Sequence, residues 1–120
     1  MNNIKVFEND LPDDLDLSNE KYIGLDNEAL GLVLGRDPLT LVQLGLESKN
    51  FYLIKLNRKT YHAPNLVKIL SNTNTQFIMH YARQDLLWLK YHLNAQPKNI
   101  FCTKVASKIA RTASSFHGYK

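Results

Sequence analysis

Two acidic residues two positions apart, Asp26 and Glu28, have the type and spacing needed to bind a metal ion. They lie at the end of the segment 22–26, which reads as a β-strand, and residues i and i+2 of a strand project from the same face. Two carboxylates on one face supply the oxygen ligands that Mg²⁺ and Mn²⁺ prefer. By itself an Asp-x-Glu triplet is a weak indication, since most such pairs are solvated surface charges.

Three further candidates surround the start of a predicted helix. Asp85 stands at that start, where its carboxylate suits a metal site but is also explained as a negative charge near the positive helix end. His80 ends an apolar strand and Arg83 lies between the two, so both are candidates for contact with a nucleic-acid phosphate. The alternative for these two residues is a partly buried histidine and a solvated arginine.

Charge is distributed unevenly along the chain. Residues 1–28 contain eight acids and two lysines, a net charge of −6, whereas residues 29–120 contain thirteen lysines and arginines and three acids, a net charge of +10. Lys104, Lys108 and Arg111 share one face of a predicted helix and are candidates for nucleic-acid binding, because phosphates attract cations. A basic solvated surface is the alternative interpretation.

Composition narrows the class of protein. A chain of 120 residues with 44% hydrophobic and 22% charged residues is expected to form a single globular domain. No apolar run approaches the roughly 20 residues that cross a bilayer, and the N-terminus lacks the apolar stretch of a signal peptide, which predicts a cytoplasmic protein. The single cysteine, Cys102, excludes an intrachain disulfide.

The candidate residues are expected to be positioned by strands that come first and by strand–helix alternation that follows. Alternating or continuous apolar residues predict strands over 4–7, 22–26, 39–46, 51–56, 76–80 and 99–103, of which the third and fourth form a hairpin. Helical spacing follows Pro64, runs from Asp85 to about residue 93, and recurs from about residue 104 to 113. The order predicts an α/β fold with a mixed sheet.

Several of these segments, taken together, resemble the ribonuclease D-like branch of the DEDD 3′-5′ exonucleases. The matching segments, which occur in the family's order, are Ile23-Gly24-Leu25-Asp26-Asn27-Glu28-Ala29-Leu30-Gly31-Leu32, Arg36-Asp37-Pro38-Leu39-Thr40-Leu41-Val42-Gln43-Leu44, His80-Tyr81-Ala82-Arg83-Gln84-Asp85-Leu86 and Phe101-Cys102-Thr103-Lys104-Val105-Ala106-Ser107-Lys108-Ile109-Ala110-Arg111-Thr112, with His117-Gly118 after them. The resemblance covers about residues 20–120.

The resemblance implies a ribonuclease H-like fold and the removal of nucleotides from a 3′ end with two divalent ions, Mg²⁺ or Mn²⁺. It implies that Asp26, Glu28 and Asp85 are catalytic carboxylates that bind metal. Single-stranded RNA is the expected substrate, since ribonuclease D gives the resemblance its name, although no residue distinguishes RNA from DNA.

The chain departs from the family pattern in two places. The family completes its site with a later Tyr-x-x-x-Asp segment, but Asp85 is the last aspartate of the sequence. We therefore expect residues 1–120 to be a partial exonuclease domain, truncated at the C-terminus, with doubtful activity unless a complementing chain or oligomer supplies the missing ligand. The alternative is an inactive remnant that binds nucleic acid through its basic surface. The family also commonly has threonine where this chain has Asn27, and asparagine still bonds to its neighbours.

Overall fold

The structure is a computed structural model that describes residues 3–31, 33–80 and 82–103, without the side chains of residues 82 and 83. These residues form the strands and helices β1 (Asn3–Glu8), β2 (Tyr22–Ala29), β3 (Leu39–Leu46), β4 (Asn50–Lys55), α1 (Pro64–Leu70), β5 (Gln76–Met79), α2 (Ala82–Leu93) and β6 (Ile100–Cys102). The helix predicted from about residue 104 lies outside the described residues. Neither described helix is long and apolar enough to cross a membrane.

The six strands form one mixed sheet in the order β1-β4-β3-β2-β5-β6. The central strands β2, β3 and β4 are antiparallel neighbours, which confirms the predicted hairpin of β3 and β4. The outer pairs, β1 with β4, β2 with β5 and β5 with β6, are parallel. The predicted α/β class with a mixed sheet is therefore confirmed.

One face of the sheet forms the core. It presents the alternate residues that the period-two pattern predicted, and the inner residues of both helices join the same apolar cluster. The largest fully buried side chains include Ile23, Leu44, Ile54, Phe77, Leu66 and Leu89. Burial of each such side chain stabilises the fold by about 1.5–3 kcal/mol, so this face fixes the strand register.

The opposite face of the sheet is called the open face below. It is formed by the residues that alternate with the core positions, including Gly24, Asp26, Glu28, Gln43, Gly45, Phe51 and Ile78. At its edges Ile4, Val6 and Phe101 are exposed. The open face therefore carries both candidate metal ligands of β2 and a set of apolar side chains.

The acidic connector between β1 and β2 is tied to helix α1. The Asp10 carboxylate accepts hydrogen bonds from the backbone N–H groups of Asn65 and Leu66, both at 2.9 Å. The Asn65 side chain donates in return to the backbone oxygen of Leu11 at 2.8 Å and to Asp13 at 2.6 Å. Because the first N–H groups of a helix have no partner within the helix, Asp10 acts as a cap delivered from a distant part of the chain.

Candidate active site

Strand β2 positions Asp26 and Glu28 on the open face, where both are exposed. The strand continues to Ala29 rather than ending at Asp26, so both acids lie within it. Asp26 lies opposite Gln43 of β3, and the register shifts between Glu28 and the following residue. The Thr40 hydroxyl donates to the backbone oxygen of Glu28 at 3.0 Å, which holds the strand pair together next to this irregularity.

Helix α2 brings the third predicted acid to the first. Asp85 lies in the first turn of the helix, and its carboxyl group, when it carries a proton, forms a hydrogen bond with the carboxylate of Asp26. Burial, followed by the negative charge of Asp26, raises the pKa of Asp85 to about 7 from its usual 3.8. Two carboxylates separated by 59 positions in sequence therefore share one small volume.

Glu28 stands beside this pair without joining it. Its carboxylate accepts a hydrogen bond of 3.4 Å from the Gln43 side chain on the neighbouring strand. Among the described residues, no three His, Cys, Asp or Glu side chains are grouped closely enough to hold a metal ion. The structure thus brings Asp26 and Asp85 together and leaves Glu28 on the same face, bound to Gln43.

The chemistry of this donor set fits a hard divalent cation. Asp26 and Asp85 are like charges in contact, and in the described part of the chain no lysine or arginine forms an ion pair with either of them or with Glu28. Burial and the charge of Asp26 raise the pKa of Asp85 because they disfavour its ionised form, and a divalent cation bound by carboxylate oxygens would stabilise that form.

Asn27 contacts both members of the pair. Its backbone N–H donates to Asp26 Oδ1 at 2.9 Å, and its side-chain Nδ2 donates to the backbone oxygen of Asp85 at 3.2 Å. In the sequence, Asn27 stands out only as a departure from the family pattern. The signal available in the sequence was its place between two acids in a strand, which turns its side chain to the face opposite theirs.

A groove of about 410 Å³ adjoins Asp26 on the open face and extends over bare backbone at Gly24 and Gly45. These glycines lie directly opposite each other in the register of β2 and β3. A Cβ atom added at Gly45 would lie 3.0 Å from a ring carbon of Phe51, so the aromatic ring rests on the glycine backbone. Glycine at this position lets Phe51 form one wall of the groove.

The predicted nucleic-acid contacts are described only in part. His80 is exposed, lines the groove, and its Nδ1 lies 2.9 Å from the Thr103 hydroxyl oxygen. The Arg83 side chain and residues Lys104, Lys108 and Arg111 lie outside the described residues. Their roles stay predictions.

Comparison with known proteins identifies the family. The 3′-5′ exonuclease family profile matches residues 7–120. Ribonuclease D of Desulfotalea psychrophila is 32% identical over 93 residues, which are 78% of this chain and 25% of that protein. The structure is similar to Brucella melitensis NrnC with bound Mg²⁺, with a TM-score of 0.88 and 37% identity over 98% of this chain and 58% of that chain. For the same protein bound to pGG the TM-score is 0.88 and the identity 37%, over 100% and 58% of the two chains.

The chain therefore spans a quarter of its ribonuclease D relative and less than two thirds of NrnC. The family profile nevertheless covers nearly all of its length, and the sheet confirms the predicted ribonuclease H-like α/β fold. As its resemblance to ribonuclease D predicted, the chain belongs to the 3′-5′ exonuclease family.

Proposed function

We propose that this chain forms the metal-binding part of an exonuclease that hydrolyses phosphodiester bonds at the 3′ end of nucleic acid. The observation that carries the proposal is the contact between Asp26 of β2 and Asp85 of α2. Folding has brought together two acids that repel each other when both are ionised, at a cost to stability. Acids held together at such a cost are typical of functional sites, where a bound cation or the reaction itself requires them.

Asp26 and Asp85 are the residues that would hold a divalent ion, with Glu28 joining them from the same face. Two such ions, Mg²⁺ or Mn²⁺, would activate the attacking water and stabilise the leaving oxygen. The chain's own residues supply the ligands, and the Asn27 backbone N–H orients the Asp26 carboxylate. Release of the proton shared by Asp26 and Asp85 prepares the pair to bind the cation.

The groove beside Asp26 is the proposed path of the substrate. Phe51 and His80 line this groove together with Asp26, so that the Phe51 ring and the His80 imidazole can contact a base and a phosphate of the substrate. Brucella melitensis NrnC has been solved bound to pGG, and a ribonuclease D is a sequence relative. These relatives support RNA with a free 3′ end as the substrate class.

A second candidate function is nucleic-acid binding without hydrolysis. One observation favours it: residues 29–120 carry a net charge of +10. Binding of this kind would depend on cations such as Lys104, Lys108 and Arg111, would not require metal, and would weaken steeply as salt rises.

Incubation of the purified chain with pGG, or with 3′-labelled single-stranded RNA, and Mn²⁺ tests the first function. We expect hydrolysis that falls by about 100-fold or more in Asp26→Asn, since loss of a ligand removes transition-state charge stabilisation. Asp14→Asn is the matched control, because Asp14 is an exposed acid of the connector. Equal rates for wild type and Asp26→Asn would contradict the proposal. RNA binding in EDTA without any hydrolysis in Mn²⁺ would support the second function.

A further inference from the structure

Asn27 differs from the two acids that flank it in the direction of its side chain. In β2, Ile23 and Leu25 are buried and Asn27 is partly buried, whereas Asp26 and Glu28 are exposed on the open face. Strand geometry thus places the Asn27 amide under the sheet, on the side where the helices pack. It is a polar group at a position where the strand pattern calls for an apolar residue.

The partner of this amide explains its place. Asn27 Nδ2 donates to the backbone oxygen of Asp85 at 3.2 Å, across 58 residues of sequence, in a partly buried position. That oxygen lies in the first turn of α2, and a carbonyl oxygen has a second lone pair beyond the one used within a helix. The bond therefore fixes the turn that bears Asp85 against the strand that bears Asp26.

We propose that Asn27 is a positioning residue that sets the approach of Asp85 to Asp26 and thereby the affinity of the pair for a divalent cation. The inference rests on the proposed function. Asn27 touches both acids without being a ligand: its backbone orients the Asp26 carboxylate, and its side chain holds the backbone of Asp85. Groups that orient metal ligands in this way typically change metal affinity by about 10-fold to 100-fold when they are removed.

The chemistry of the bond selects the test variants. A backbone oxygen requires a donor, so Asn27→Leu removes the bond while keeping a similar volume. Asn27→Gln keeps an amide donor on a longer chain, and a cavity of about 210 Å³, lined in part by Asn27, Gly31 and Trp88, offers room for the extra methylene group.

Asn72→Leu is the matched control. Asn72 Nδ2 also donates to a distant backbone oxygen, that of Ser18, at 3.1 Å, but in the turn after α1, and it does not line either cavity beside the acids. Because the Asn72 side chain also donates to the Thr75 hydroxyl at 3.2 Å and accepts from the backbone N–H of Asn74 at 3.0 Å, Asn72→Leu is expected to lower stability at least as much as Asn27→Leu. If Asn27→Leu binds metal more weakly than Asn72→Leu, the cause is the location of Asn27 beside the acids rather than a general loss of stability.

The experiment is calorimetric titration of the full chain with Mn²⁺, together with thermal unfolding in EDTA. We expect Asn27→Leu to bind Mn²⁺ about 10-fold more weakly, Asn27→Gln to recover most of that loss, and Asn72→Leu to match wild type. Wild-type affinity in a folded Asn27→Leu would overturn the inference and leave the proposed function standing. Equal weakening in Asn27→Leu and Asn72→Leu would also overturn it, because a general loss of stability would then suffice. A wild-type chain that binds no Mn²⁺ would overturn the proposed function and this inference with it.

Discussion

Two regions of the chain differ in the groups that contact their aspartate side chains. In the connector, Asp10 accepts hydrogen bonds from two backbone N–H groups of α1, and Asp13 accepts one from Asn65. At the other region, Asp85 meets the like charge of Asp26. The first arrangement satisfies Asp10 and Asp13 within the protein, whereas the second leaves two neighbouring acids whose combined negative charge a proton or a cation would offset.

The cavities beside the two regions show why volume alone does not locate a site. The connector and α1 enclose about 610 Å³ around Asp13, Asp16 and Lys68, more than the 410 Å³ groove at Asp26. The larger cavity nevertheless borders acids that already have donors: Asp16 accepts hydrogen bonds from the side chain and the backbone N–H of Ser18, which lower its pKa. Asp10 and Asp13 of the connector stabilise the fold, whereas Asp26 and Asp85 carry the unbalanced charge on which the proposed function depends.

If the acids of the two regions differ in this way, the free energy of unfolding should depend strongly on pH because of Asp85. Its pKa is about 7 in the folded chain against a usual 3.8, so the folded state holds a proton that the unfolded state releases. The free energy of unfolding of the metal-free protein is therefore expected to fall as pH rises from about 4 to 7 and to level off above that. The full shift corresponds to roughly 4 kcal/mol, and because Asp85 is only half buried we expect about 2 kcal/mol after solvent screening.

Urea unfolding in EDTA at pH 5, 6, 7 and 8 measures this dependence. Asp85→Asn is the matched variant, since it keeps the shape of the side chain and cannot ionise. It should lack the fall and be the more stable protein at pH 8. Parallel pH profiles for wild type and Asp85→Asn would contradict this prediction, because they would show that the pKa of Asp85 is not raised in the folded chain.

The strand and the helix that carry Asp26 and Asp85 could be predicted because the patterns of strands and helices are local in the sequence. Alternation of apolar residues located β2, and a helical stripe located α2, so Asp26 and Asp85 could be placed on a strand and at a helix start. The family motif, which is not local, supplied the expectation that these two acids meet.

Side-chain partners from other strands and loops could not be predicted. The bond from Gln43 to Glu28 depends on how β3 is paired with β2, and the cap that Asp10 provides for α1 joins residues more than fifty positions apart. Neither has a signature in the local sequence, because residue types near each position are compatible with many partners. Nothing local to the connector therefore indicates that Asp10 is part of the fold.

A smaller effect is expected at the connector. Asp10→Ala removes the acceptor for the N–H groups of Asn65 and Leu66 and should lower the free energy of unfolding by about 1 kcal/mol, the usual value for a lost helix cap. Asp10→Asn, which keeps one acceptor oxygen, should lose less. Urea unfolding at pH 7 measures both changes, and calorimetry should show wild-type Mn²⁺ affinity in the folded variants. Loss of Mn²⁺ binding in folded Asp10→Ala would remove the distinction between the two regions.

The smallest effect is expected at Gln43, whose side chain donates a hydrogen bond to the carboxylate of Glu28. Gln43→Ala removes the 3.4 Å hydrogen bond to Glu28, a long bond between exposed groups, so stability should change by less than about 0.5 kcal/mol. Freed from Gln43, Glu28 can turn toward Asp26, and Mn²⁺ affinity is expected to rise by up to about threefold, since a net hydrogen bond of this kind contributes roughly 0.5 kcal/mol.

Gln76→Ala is the control for this last change, because Gln76 lies on the same face and its side chain donates to Asn99 at the same distance of 3.4 Å, away from the acids. It should leave Mn²⁺ affinity unchanged. A tenfold loss of Mn²⁺ affinity in Gln43→Ala, with no loss in Gln76→Ala, would reverse the interpretation, because Gln43 would then orient Glu28 for metal binding. Glu28 would in that case resemble the connector aspartates, whose carboxylates are held by hydrogen bonds within the protein.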